Sequence, residues 1–171
     1  RFIEPEQAAL ISSELSKKIK KVGVFVNHSK DYIDSVVADC QLDMIQLHGD
    51  ESPEFCSGFS CPVMKAVRIK SESDLLELDN YKDGVDYFLL DTKVPGHYGG
   101  TGTTFDWELA VKAKAYNVPI FLSGGIGLDN ISQAISTVDP YAIDLSSSVE
   151  LKPGIKDHGK LNAVVDRFFS V

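Results

Sequence analysis

Short apolar runs alternate with helical patterns along this chain without interruption, and no other feature restricts its fold as much. Residues 22–26, 44–48, 63–69, 87–91, 120–123 and 142–146 each read as a strand-length apolar run. Each is followed by an amphipathic stretch, at 31–38, 53–59, 74–81, 107–116, 130–137 and 160–169. Brief, almost wholly apolar runs are what a strand covered on both faces requires. Strands separated by helices predict parallel pairing, because a parallel partner is reached only through a crossover.

Such a pattern fits either an open doubly wound sheet or a closed (β/α)8 barrel. The first element helps to choose. Residues 4–19 read as a helix, with Pro5 at its start and Ala8, Ala9, Leu10, Ile11 and Leu15 at helical spacing, and no strand precedes it. A barrel needs eight strands, and the pattern supplies six. Loss of one βαβ unit, roughly 30 residues, accounts for the shortfall, for the orphan helix and for an arginine at position 1. The expected fold is α/β: a single (β/α)8 TIM barrel domain over residues 1–171 with parallel strands, its first two strands absent from the chain.

The net charge of −8 argues against nucleic acid and against an anionic membrane surface as partners. No apolar run approaches the roughly 20 residues of a membrane span. An anionic ligand would need a local site built from backbone N–H groups, a helix N-terminus and a few basic side chains. Cys40, Cys56 and Cys61 show no metal-ligand spacing and read as small buried hydrophobes of a reducing cytoplasm.

Polar and small residues gather where the strands end: Asn27 and His28, His48 and Gly49, Arg68, Asp91, Ser123 to Gly125, and Ser146 to Ser148. In α/β proteins that end of the sheet holds the chemistry. Asp91 closes the run Tyr87-Phe88-Leu89-Leu90, and the glycine-rich loop after it could cover a ligand. It suits either a general acid or base or a structural cap. His48 fits a hydrogen-bond donor lining the site or a packed strand-end histidine, and Arg68 reads more as a rim charge than as a ligand clamp. His28, His97 and His158 fall in loop or helix-start contexts and read as solvated.

Ser123-Gly124-Gly125-Ile126-Gly127 lies between a strand and a helix, and Ser146-Ser147-Ser148 ends the next strand. Glycines there let backbone N–H groups approach an anion. Barrels of this class bind phosphate in the loops after strands seven and eight, which the last two strands would be if two precede. Neither glycine loop has the spacing of a dinucleotide or Walker fingerprint.

With these residues assembled, the chain resembles the phosphoribosylanthranilate isomerase family of tryptophan biosynthesis. The likeness rests on blocks in order. They are Arg1-Phe2-Ile3 with Pro5-Glu6, Val22-Gly23-Val24-Phe25-Val26-Asn27, and Gln46-Leu47-His48-Gly49-Asp50-Glu51. Leu90-Asp91-Thr92-Lys93, Gly99-Gly100-Thr101-Gly102 and Phe105-Asp106-Trp107 follow. Leu122-Ser123-Gly124-Gly125, Ile143-Asp144-Leu145-Ser146-Ser147 and Pro153-Gly154-Ile155-Lys156-Asp157 complete the set.

The resemblance implies an Amadori rearrangement of N-(5-phosphoribosyl)anthranilate, with no metal and no organic cofactor. It implies Asp91 as the acid, Arg1 on the anthranilate carboxylate, and the amides of Gly124, Gly125, Ser147 and Ser148 around the phosphate, with His48 lining the site. The implied partner is a small phosphorylated substrate, and the chain's own cleaved N-terminal fragment is a candidate second one. Two departures stand out. Ser148 occupies a position that is usually glycine in the family, and the Lys-x-Cys-Gly motif carrying its basic cysteine is absent from the sequence. The alternatives are another phosphate-binding barrel isomerase or synthase, or a catalytically silent barrel fragment that keeps phosphate binding.

Overall fold

The computed structural model describes residues 1–92, 104 and 106–170. Gly99 to Gly102, His97, Phe105 and the loop expected to cover a ligand lie outside the described residues. The elements are α1 (Pro5–Glu14), β1 (Val22–Phe25), α2 (Lys30–Cys40), β2 (Met44–Leu47), α3 (Pro53–Cys56) and β3 (Val63–Ile69). A 3₁₀ turn, Glu72–Leu75, leads into α4 (Leu76–Tyr81), followed by β4 (Tyr87–Thr92), α5 (Trp107–Ala113), β5 (Ile120–Leu122), α6 (Ile131–Val138) and β6 (Ala142–Ile143). A second 3₁₀ turn, Ser147–Val149, precedes β7 (Glu150–Lys152), β8 (Ile155–Lys156) and α7 (His158–Phe168).

Local chemistry starts the helices. Ser29, Ser52, Asp106 and Asp157 each accept a hydrogen bond from a backbone N–H in the first turn of the following helix, satisfying donors that a helix end leaves orphaned. Helix α1 stops at Glu14, short of the expected residue 19, because the apolar spacing ends at Leu15 and Ile19 stays exposed. Strand β6 is shorter than residues 142–146 because its partner β5 ends at Leu122. The antiparallel hairpin of β7 and β8 was not expected. Pro153-Gly154, with Gly154 at φ 83°, makes its turn.

Strand order decides the architecture. The parallel sheet runs β1-β2-β3-β4-β5-β6 with every neighbour consecutive in sequence. A doubly wound sheet reverses its order at a switch point; this one never does. One face packs on the helices, where Ile45, Leu47, Val67, Phe88, Leu90 and Leu122 meet Ile33, Leu78, Ala110, Ile131 and Val164. Met64, Ala66 and Leu89 form a separate small cluster on the other face, with Met44, Tyr87 and Phe121 against them. Side chains alternate along a strand, so Asp91 shares the inner face with Tyr87 and Leu89, and His48 shares it with Met44 and Gln46. The six strands make a curled part-barrel. No helix among the described residues is long and apolar enough to cross a membrane.

Among the described residues neither edge strand, β1 nor β6, has a second strand partner. On β1 and just after it Val22, Val24 and Val26 are exposed, Val24 at 59%. Beside β6 an apolar groove of about 330 Å³ lies between Tyr141, Ala142, Ile143, Val165 and Phe168.

Candidate active site

The carboxyl ends of β2, β3 and β4 converge on Asp91, which is 3% exposed. Its Oδ1 accepts from the Thr92 N–H at 2.7 Å. Its Oδ2 faces His48 Nε2 at 3.6 Å, beyond hydrogen-bond range. The other ring nitrogen, Nδ1, lies 2.8 Å from the amide nitrogen of Gln46. Arg68 stands directly opposite Asp91 in the β3–β4 register and donates to the His48 carbonyl at 3.1 Å. Arg68 thus meets the site through the backbone of His48.

Beneath this cluster sits a buried ion pair that sequence reading passed over. Lys65, 1% exposed in the middle of β3, donates to Glu51 at 2.9 Å, to the Gly49 carbonyl at 2.7 Å and to the Leu47 carbonyl at 3.4 Å. Glu51 also accepts from the N–H groups of Asn27 and Gly49. Burial pushes the Glu51 carboxyl up, yet the Asn27 and Lys65 hydrogen bonds outweigh it and hold the group below the usual carboxylate range. Asn27 takes a left-handed backbone, φ 55°, to make its contact. The pair therefore ties the loops after β1 and β2 to β3.

The second half of the site is a pocket of about 470 Å³. Ser123, Gly124 and Gly125 line one side, and Ser146, Ser147 and Ser148 line the other. Gly124 and Gly125 adopt φ of 82° and 66°, conformations that favour glycine. A Cβ at Gly124 would strike the Thr92 hydroxyl and lie 2.9 Å from Asp91 Oδ1, so the pocket and Asp91 adjoin at this residue. Asn130 bonds Gly127 N–H and the Gly125 carbonyl, which holds the loop open. Ser147 and Ser148 begin a 3₁₀ turn whose leading N–H groups have no partner within the turn. Lys160 of α7 reaches the pocket wall.

Arg1 is paired with Glu150. Its guanidinium donates to both carboxylate oxygens of Glu150 at 2.8–3.1 Å, and these bonds lower the Glu150 carboxyl to about 2. Arg1 therefore sits beside β7, just past the Ser147–Val149 turn. Cys40, Cys56 and Cys61 are free and lie off the strand ends. Burial pushes the Cys56 thiol up to about 11, so it is no thiolate nucleophile.

Asp91, His48, Gly124, Gly125, Ser147 and Ser148 are thus gathered at one end of the sheet. Gln46, Lys65, Glu51 and Lys160 are the additions that sequence reading missed. Gln46 had a visible signal, a polar residue two before His48 and therefore on the same strand face.

The model of one family, N-(5'phosphoribosyl)anthranilate (PRA) isomerase, matches residues 1–167. The N-(5'-phosphoribosyl)anthranilate isomerase of Geobacter sulfurreducens is 44% identical over 167 residues, 98% of this chain and 81% of that protein. The enzyme of that name from Geobacter sp. strain M21 is 46% identical over 165 residues, 96% of this chain and 79% of that one. The crystal structure of phosphoribosyl anthranilate isomerase from Thermotoga maritima superposes with a TM-score of 0.91 at 38% identity, covering 99% of this chain and 82% of that one. A phosphoribosyl anthranilate isomerase crystallised with reduced 1-(o-carboxyphenylamino)-1-deoxyribulose 5-phosphate superposes with a TM-score of 0.87 at 35% identity, covering 99% of this chain and 81% of the other. By model, sequence and fold together, this chain belongs to the N-(5'-phosphoribosyl)anthranilate isomerase family.

Proposed function

We propose that the chain carries the acid half and the phosphate site of an enzyme converting N-(5'-phosphoribosyl)anthranilate to 1-(2-carboxyphenylamino)-1-deoxyribulose 5-phosphate. The observation that carries this reading is the closeness of Gly124, which lines the pocket, to Asp91 of β4: a Cβ added at Gly124 would lie 2.9 Å from Asp91 Oδ1. That closeness supports a proton donor beside an anion cradle.

The steps follow from that placement. Backbone N–H groups of Gly124, Gly125, Ser147 and Ser148 receive the phosphate, with Lys160 nearby. Asp91 gives its proton to the ribose ring oxygen as the C1–O bond breaks, leaving a C1–N double bond. A base then removes the C2 proton, and the electron pair shifts to form an enolamine. Ketonisation returns a proton to C1 and leaves a carbonyl at C2. Atoms balance, and no oxidant or cofactor enters. Arg1 serves the anthranilate carboxylate by exchanging it for Glu150, as a charge-assisted pair.

The base is assigned outside the described strands. None of the three cysteines ends a strand. The open edges of β1 and β6, and the exposed valines on and just after β1, support closure of the sheet by two further parallel strands. A β-α-β segment ending its first strand in Cys-Gly would supply both closure and base. With such a segment the sheet would close into a barrel acting on the phosphorylated substrate.

Co-expression tests this. Turnover of phosphoribosylanthranilate is expected only when the chain is combined with such a segment. Turnover by the verified chain alone would overturn the assignment of the base. A folded complex without turnover would overturn the assigned activity.

A further inference from the structure

We infer that Gln46 and His48 act as positioning residues for Asp91: Gln46 holds the His48 ring in the tautomer protonated at Nε2, and that N–H stabilises the carboxylate that Asp91 becomes once its proton has left. The inference rests on the assignment of Asp91 as the acid.

Three sets of contacts carry it. First, the Gln46 amide nitrogen can only donate, so Nδ1 at 2.8 Å must accept, and the neutral ring then carries its proton on Nε2. Gln46 is itself 8% exposed, so water does not compete freely for this bond. Second, Nε2 is buried without a hydrogen-bond partner among the described residues, and it lies 3.6 Å from Asp91 Oδ2. The Thr92 N–H already occupies Oδ1, which makes Oδ2 the oxygen with capacity to spare. Third, the backbone around His48 is clamped. Lys65 takes the carbonyls of Leu47 and Gly49, and Arg68 takes the carbonyl of His48 itself. Three consecutive carbonyls are thus gripped from β3, which fixes the backbone of His48 while its ring faces Asp91 of β4.

The chemistry follows. When Asp91 protonates the ring oxygen, negative charge appears on its carboxylate. A neutral N–H that closes the remaining gap stabilises that charge without giving up its proton. The opposite tautomer would set a nitrogen lone pair against the new carboxylate.

The tautomer can be read directly by nitrogen-15 NMR of the histidine side chains in this chain, with His48→Gln assigning the signal. The expected result is an Nε2–H imidazole at neutral pH, and a changed ring protonation in Gln46→Glu, which offers Nδ1 only acceptors. An Nδ1–H imidazole in the unsubstituted chain would overturn the inference. In the segment-completed enzyme, Gln46→Glu and His48→Leu are expected to lower kcat roughly 10- to 100-fold with little change in KM. His48→Gln, which keeps an N–H near the Nε2 position, is expected to restore part of that loss. An unchanged kcat in His48→Leu would overturn the inference while leaving Asp91 assigned. Full activity in Asp91→Asn would overturn the assignment on which it rests, while the NMR signal would still report the tautomer.

Discussion

The two halves of the site are built in opposite ways. Around Asp91 the proposed working groups are side chains on neighbouring strands, tied to one another across the sheet: Arg68 of β3 holds the His48 backbone and Lys65 of β3 holds Glu51, while Gln46, two residues before His48, holds its ring. Around the pocket the proposed working groups are backbone amides of two short loops, one of them shaped by glycine conformation and by Asn130. Proton transfer needs an atom at a set distance, which a rigid side-chain lattice provides. Anion binding needs several weak donors pointing inward, which a loop can provide by itself.

That contrast predicts different failures on the two sides. The largest is expected from Asp91→Asn, which should lower kcat in the segment-completed enzyme by about 10²- to 10⁴-fold with KM changed far less. A comparable rise in KM would mean that the two halves are not separate.

Next comes Lys65→Met, which strands the Glu51 carboxylate in the interior. It should cost about 3–5 kcal/mol in denaturant unfolding, with part regained in the double substitution with Glu51→Gln. A shift below about 1 kcal/mol would show that the lattice under His48 is not what holds that side together.

Gly124→Ala sits on the boundary between the halves. Its φ of 82° and its contact with Thr92 should cost on the order of 1–3 kcal/mol of stability, and both kcat and KM should suffer because both halves move. An effect on KM alone would place the boundary elsewhere.

The smallest expected effect is a pH dependence at the Arg1–Glu150 tie. The Glu150 carboxyl lies at about 2 in the folded chain against an ordinary 4.5. Its contribution is therefore present in full above pH 4.5 and fades as the pH falls toward 2. The Tm difference between the unsubstituted chain and Glu150→Gln should be largest near neutrality and vanish near pH 2. A constant difference would mean that Arg1 is held by something else.

How far the sequence could be read follows the same division. The loops at Ser123 to Gly127 and Ser146 to Ser148 are legible because their proposed role is local: glycine and serine between a strand and a helix suffice to suggest an anion site. The strands were legible from apolar runs, and Asp91 from its place at the end of one. The barrel was expected over an open sheet from the orphan first helix and the strand count, and the consecutive pairing of the assembled sheet agrees with it. Lys65 was read through as part of an apolar strand, because nothing local shows that Glu51 arrives to neutralise it. The sequence pattern carries helix α1 too far because no glycine or proline directly follows Leu15 to mark its end. The hairpin at Pro153-Gly154 was missed because its strands are too short to show a period.

The most direct test combines binding and turnover in one pair of proteins. Reduced 1-(o-carboxyphenylamino)-1-deoxyribulose 5-phosphate is titrated into the segment-completed enzyme and into its Asp91→Asn variant, and both are assayed on phosphoribosylanthranilate. The predicted result is binding of similar strength in the two, with turnover nearly lost in the variant. Turnover retained without the Asp91 carboxylate would contradict it.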